Sequence, residues 1–229
     1  MSRSDDYVFG FPSLLEVSGV PAGTNVLVSG PLEGGALDVA LALTAPGEGS
    51  DEAALLVAAD RSGEHLLERY GDIDVDVDPA RVGAVDCSTE STSNRFIGRH
   101  GSIDGPGDLG SIAVEISSLY ETLVKRGPAG VRMGLFSVSG LLEHAEHREV
   151  TRFVHAFTGR VIATEDLGVV YVDTARSEAA VVDGFSHFCD VRVDVRSSGE
   201  GAEVRVTDTE GLRQAWTKLD LGVVSGETA

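Results

Sequence analysis

Residues 24–43 place a Gly-rich turn between a buried strand and a helix, the setting in which backbone N–H groups and a lysine cradle a phosphate chain. The pattern for that chemistry is Gly, four residues, Gly, Lys, then Ser or Thr. Gly30 and Gly35 take the two glycine positions, with Gly34 beside the second, but the lysine position holds Ala36 and the hydroxyl position holds Leu37. Lysine meets the β- and γ-phosphates and the hydroxyl holds Mg²⁺, so both contributors are missing. Glu33 adds a carboxylate inside the turn, where it would oppose a phosphate. The loop keeps the outline of a nucleotide site without its charged groups.

Other chemistry-bearing groupings have a plainer reading beside the functional one. Glu143, His144, Glu146 and His147 fall within five residues, and the two histidines at i and i+3 could ligate Zn²⁺. The spacing is not His-Glu-x-x-His and no distant third ligand is evident, so a solvated linker is the expectation. Ser137 and Ser139 follow a strand, but Gly134-Leu-Phe-Ser-Val-Ser-Gly140 is not a Gly-x-Ser-x-Gly elbow. Asp72, Asp74, Asp76 and Asp78 lack the Gly and terminal Glu of a Ca²⁺ loop. Arg95, Arg99 and His100 make a small basic spot, a hint of a partner contact. Cys87 and Cys189 are too few for a disulfide framework or a zinc site and read as small buried side chains.

The elements that must position these residues alternate. Strands are expected at Asn25–Ser29, Ala53–Ala59, Arg81–Asp86, Val131–Phe136, Val169–Val172, Val191–Val195 and Val204–Val206. Helices are expected at Ala36–Thr44, Gly63–Tyr70, Asp108–Arg126, Arg148–Thr158 and Ser177–Phe188. Leu109, Ile112, Ile116, Leu119 and Leu123 recur at three and four residues and make one apolar helix face. Strands alternating with helices predict an α/β fold with a mostly parallel sheet covered on both faces. The last two strands, divided by Ser-Ser-Gly-Glu-Gly at 197–201, predict an antiparallel hairpin. Residues 87–107 form the longest irregular stretch, of the length that usually serves function or moves. One domain over residues 1–229 is expected, with 223–229 as a frayed tail.

Charge bounds the partners. The formal net charge is −19, from 37 acidic against 18 basic residues, and only Lys125 and Lys218 are lysines. A carboxylate-dense surface stays hydrated while concentrated salt screens its self-repulsion, so the composition resembles that of proteins from salt-loving archaea. Without a Lys/Arg cluster, direct binding to a nucleic-acid backbone is disfavoured. No run of 18 apolar residues exists and the N-terminus has no signal-peptide core, so a soluble cytoplasmic protein is expected.

Taken in order, these segments resemble the KaiC-like branch of the RecA superfamily, most closely its haloarchaeal proteins. Gly10-Phe-Pro-Ser-Leu-Leu15 with Gly19-Val-Pro-Ala-Gly23 resembles the entry segment, and Val57-Ala-Ala-Asp60 the second strand with its water-activating acids. Residues 131–142 resemble the Walker B strand with its trailing Ser-x-Ser-x-Leu-Leu, and 204–216 the C-terminal hairpin. The resemblance implies a RecA-like P-loop fold, but its residue roles carry across as losses. The Walker B aspartate falls on Phe136, which cannot hold a cation. The hairpin's Lys-x-Arg, which reaches a neighbour's γ-phosphate in the family, falls on Asp208 and Glu210. Asp60 alone remains as a catalytic candidate.

The expectation is a non-catalytic regulatory or scaffold domain, a pseudo-ATPase acting through protein partners or self-association and needing no cofactor. The alternative is an atypical ATPase that binds ATP and Mg²⁺, in signalling, gene regulation or recombination.

Overall fold

A computed structural model describes residues 7–11, 19–46, 49–72, 79–87, 103–198, 201–207 and 214–219. Two short strands come first, β1 (Val8–Gly10) and β2 (Gly19–Pro21), paired antiparallel as a hairpin. Then follow β3 (Asn25–Gly30), α1 (Ala36–Thr44), β4 (Glu52–Ala58), α2 (Gly63–Gly71), β5 (Val82–Asp86) and α3 (Leu109–Val124). The chain continues through β6 (Gly130–Phe136), α4 (Val138–His144), α5 (His147–Thr164), β7 (Leu167–Asp173) and α6 (Ala179–Ser186), and ends in β8 (Val191–Ser198), β9 (Gly201–Thr207) and β10 (Thr217–Leu219).

One eight-stranded sheet has the order β10-β9-β8-β3-β7-β6-β4-β5. The six strands from β8 to β5 run parallel, and β9 and β10 add antiparallel. The expected α/β fold, with its helix-flanked parallel sheet and C-terminal antiparallel hairpin, is therefore present.

Alternation along each strand splits the core in two. In β4, Ala54, Leu56 and Ala58 face the layer holding α1 and α2. Ala53, Leu55 and Val57 face the layer holding α3, α4, α5 and α6. Period-two burial on both faces explains why the central strands read as unbroken apolar runs. Helix α1 is buried on nearly all sides; only Asp38 reaches its surface, where it takes Arg69 in an ion pair.

Local chemistry sets the helix starts. The Ser62 and Asp108 side chains accept hydrogen bonds from the backbone N–H groups of His65 and Ser111, capping α2 and α3. Glu143, His144, Glu146 and His147 are exposed, as a solvated linker requires, but only residues 145–146 lie between helices: His144 ends α4 and His147 opens α5. The chain enters α4 directly from β6, with the Ser137 hydroxyl accepting from the Gly140 N–H, and re-enters helix at His147. Helix α5 also runs past the expected end at Thr158, through Gly159, because Val161 continues its buried stripe. It stops where Glu165 turns left-handed at φ 56°.

Candidate functional site

The order reverses around β3: the chain leaves it toward β7, β6 and β4 and returns on its other side with β8. Ligands of open α/β sheets bind beyond the C-terminal strand ends at such a switch point. Gly30, Asp60 and Phe136, singled out in the sequence, lie at or just beyond the C-terminal ends of β3, β4 and β6 and converge there with Asp173 at the end of β7.

The loop itself is folded inward. Pro31 opens a 3-10 turn over Leu32–Gly34, and Gly35 turns left-handed at φ 82° to start α1. The Gly34 N–H donates to the Pro31 carbonyl at 2.9 Å and the Gly35 N–H to the Leu32 carbonyl at 3.3 Å. Two amides of the kind that line a phosphate nest are thereby committed to the loop's own carbonyls.

Its glycines have a structural reason unrelated to phosphate. A β-carbon on Gly30 would lie 2.5 Å from the Val195 carbonyl oxygen, and one on Gly34 would lie 2.9 Å from Ser197 Oγ. These two contacts are with β8, and a β-carbon on Gly34 would also lie 2.8 Å from Pro31 Cγ, so glycine lets the loop fold on itself and seat the C-terminal hairpin.

Apolar side chains occupy the rest. Ala36, Leu37, Phe136, Leu66 and Tyr171 are each at most 2% exposed. The Phe136 ring folds back over Gly134, where a β-carbon would be 2.4 Å from it. Between Leu32, Leu37, Phe136, Tyr171, Asp60, Arg61 and Asp173 only about 10 Å³ remains, roughly the room one water needs. Burial pushes the Tyr171 phenol upward from its ordinary pKa, and the neutral hydroxyl points at the Gly30 carbonyl.

Asp60 is not free. Arg176, three residues past β7, pairs with Asp60 and with Glu143 of α4, the latter at 2.6 Å. The hydrogen bond from Arg176 is the main cause holding the Glu143 carboxyl below its usual pKa, and the pairing with Glu143 and Asp60 raises that of the guanidinium. Arg176 thus ties the mouth of the site across three elements. The Ser139 hydroxyl donates to the Asp173 carbonyl and to or from Ser177, and accepts from the Asp173 N–H, fixing the end of β7. Ser137 adopts φ 75°, a left-handed backbone uncommon for a non-glycine residue and enriched near functional sites.

Several residues escaped sequence reasoning: Tyr171, Asp173, Arg176 and Leu32. The signal for the first three was position, since residues 171–176 close a strand adjacent to the loop strand. Ser137 and Ser139 act through their hydroxyls as a helix cap and a strand tie, roles that their spacing in the sequence did not indicate. Among the described residues no group of three or more His, Cys, Asp or Glu is placed to hold a metal, and His144 and His147 sit on different helices. Asp74, Asp76, Asp78, Arg95, Arg99, His100, Asp208 and Glu210 lie outside the described residues. Cys87 is buried and Cys189 largely so; burial pushes both thiols up to about 12. Among the described residues no helix is long and apolar enough to cross a membrane.

Mg²⁺–ATP, the ligand such a fold suggests, does not fit these residues. The loop offers buried Ala36 and Leu37 where the phosphate-binding pattern asks for lysine and a hydroxyl, the end of β6 offers Phe136, and the pocket they line leaves about 10 Å³.

Architecture and site together define a RecA-like α/β protein of KaiC-like fold. A KaiC-like protein from the hyperthermophilic archaeon Pyrococcus horikoshii OT3 superposes with a TM-score of 0.60 over 93% of this chain and 91% of that one, at 14% identity. At that identity the likeness speaks for the fold alone. A search of curated proteins finds no match. The chain belongs to the family of unknown function DUF7504, whose model matches residues 23–195.

Proposed function

We propose that this chain is a pseudo-ATPase: a non-catalytic regulatory or scaffold domain with a RecA/KaiC-like body and degenerate Walker motifs, acting through protein–protein contacts. The observation that carries this reading is the filled site, where Leu32, Leu37, Phe136 and Tyr171 leave about 10 Å³ in place of phosphates and metal. A charge-assisted hydrogen bond to phosphate contributes about 1.5–3 kcal/mol. Losing the lysine, the hydroxyl and the acid together removes several such terms, and the backbone amides that remain are partly spent inside the loop. Of the two acids lining the pocket, Asp173 accepts from the Ala175 N–H and Asp60 is paired with Arg176. Catalysis through Asp60 would first require breaking that pair.

The same reading takes the protein as a single cytoplasmic domain of a salt-loving archaeon, its −19 charge reflecting solvent rather than a ligand. Calorimetric titration of ATP with Mg²⁺ into the chain in concentrated potassium chloride should give no binding heat. A Mg²⁺-dependent heat at millimolar nucleotide or below would restore the atypical-ATPase alternative.

A further inference from the structure

The solvent face of α5 differs from the rest of this acidic molecule. Its exposed residues are His147, Arg148, Glu149, Arg152, His155, Ala156, Gly159, Ile162 and Ala163, with one carboxylate among them in a chain of net charge −19. Most described arginines have a carboxylate, carbonyl or hydroxyl partner, yet among the described residues Arg148 and Arg152 have none. One turn apart on the helix, they outnumber Glu149, the one carboxylate on the helix's exposed face.

Its C-terminal half is the opposite. Ala156, Gly159 and Ala163 are small, Ile162 is 58% exposed, and no basic residue sits in the last turn. No basic residue in its own last turn offsets the negative end of the helix dipole, next to Glu165 at the cap. Gly159 is the odd residue. A mid-helix glycine destabilises a helix relative to alanine, and a β-carbon there would meet nothing within 4 Å. Nothing within the described chain requires its absence.

We propose that a second copy of this chain docks here, α5 against α5 in antiparallel two-fold fashion, crossing at Ala156 and Gly159. Two molecules of charge −19 repel wherever carboxylates face each other, so they meet most cheaply where carboxylates are scarce. An antiparallel pair centred between Ala156 and Gly159 sets Arg152 level with Ala163 of the partner subunit. Arg148 then approaches Glu165 of the partner subunit and the negative end of its helix. The small residues let the axes come close, toward the about 8–10 Å typical of packed helices. The face is self-complementary, as a two-fold contact requires. A single helix pair is a small interface, so the dimer is weak and strengthens with salt as the net repulsion is screened.

This inference deepens the protein-contact reading and rests on it, but it fails separately, because association is measured without nucleotide. Sedimentation velocity of the full chain in molar potassium chloride, over a concentration series, should show a monomer–dimer equilibrium. Gly159→Gln, a better helix former that blocks close approach, should raise the dimer dissociation constant about tenfold or more. Its thermal stability should be unchanged or higher. Arg152→Glu should weaken the dimer likewise and decides the matter if the first variant folds poorly. A monomer at every concentration, or a dimer that neither change weakens, overturns the proposal.

Discussion

The Arg132 guanidinium and the Glu52 carboxylate meet at 2.6 Å with 1% and 4% of their side chains exposed, at the pole of the sheet opposite the Gly-rich loop. Arg132 also donates to the Leu43 and Gly10 carbonyls, and the Tyr7 hydroxyl donates to Glu52. The pair therefore fastens the β1–β2 hairpin and the end of α1 to the parallel sheet. Removing one member strands the other charge in the core. Glu52→Gln is expected to cost about 3–5 kcal/mol of folding stability, read by chemical denaturation. Joining it with Arg132→Met should recover part of that loss, short of full recovery because two carbonyls lose their donor. A single variant within a fraction of a kcal/mol of wild type would show the pair to be dispensable.

The second prediction concerns the loop glycines. If Gly30 serves hairpin packing, Gly30→Ala pushes its methyl into the Val195 backbone carbonyl. Overpacking of this kind costs about 1–3 kcal/mol, and the strain should reach Trp216. That ring, just before β10, packs against the Arg196 and Arg205 guanidiniums of β8 and β9, 4.1 and 4.4 Å from its centroid. As the chain's one tryptophan, it gives a clean fluorescence readout. Reduced stability with a shifted Trp216 emission is expected. Unchanged stability and emission would return the glycines to a role in ligand binding.

Much of this architecture was legible because it rests on patterns that burial imposes directly. Strands such as Ala53–Ala59 are buried on both faces and read as apolar runs, and Ala36–Thr44 matches α1 to the residue. Elements fixed by a few side-chain contacts were not legible. The β1–β2 hairpin depends on Arg132, more than a hundred residues away, and α4 depends on a serine in a left-handed conformation. At the site, the apolar character of positions 36, 37 and 136 was visible as residue identity. Its consequence, a loop collapsed onto Leu37 and Phe136 with Asp60 tied to Arg176, needed the three-dimensional neighbours. No spacing rule links positions 60, 143 and 176.

The third prediction follows from charge. With −19 on 229 residues, lowering ionic strength lengthens the range of repulsion from about 3 Å at molar salt to about 30 Å at hundredth-molar salt. Ion pairs such as Arg192–Asp183 strengthen in the same dilution, but each exposed pair contributes only up to about 1 kcal/mol. Net repulsion should dominate. Circular dichroism melts are expected to show stability falling steadily from molar to millimolar potassium chloride. A flat series would mean that the acidity serves a partner instead of the solvent.

The last prediction concerns acid. Asp194 is 6% exposed on β8. Burial pushes its carboxyl upward, but hydrogen bonds from Arg205, Ser29 and Arg192, at 2.7–2.8 Å, together outweigh that and hold it below its ordinary 3.8. A carboxyl depressed in the folded state contributes stability that is fully present above the unfolded value and is lost as pH falls through the folded one. The window is therefore below about pH 4. Asp194→Asn should lower stability at neutral pH by about 1.5–3 kcal/mol, the range for hydrogen bonds to a charged group. It should also flatten the acid limb of the stability curve. Because Arg205 is shared between Asp194 and the Trp216 ring, acidification should release it and change the tryptophan emission in the same window. Denaturation midpoints between neutral and acid pH, with Trp216 as probe, make the comparison. Superimposable acid limbs for the two proteins would remove Asp194 from the account of acid sensitivity.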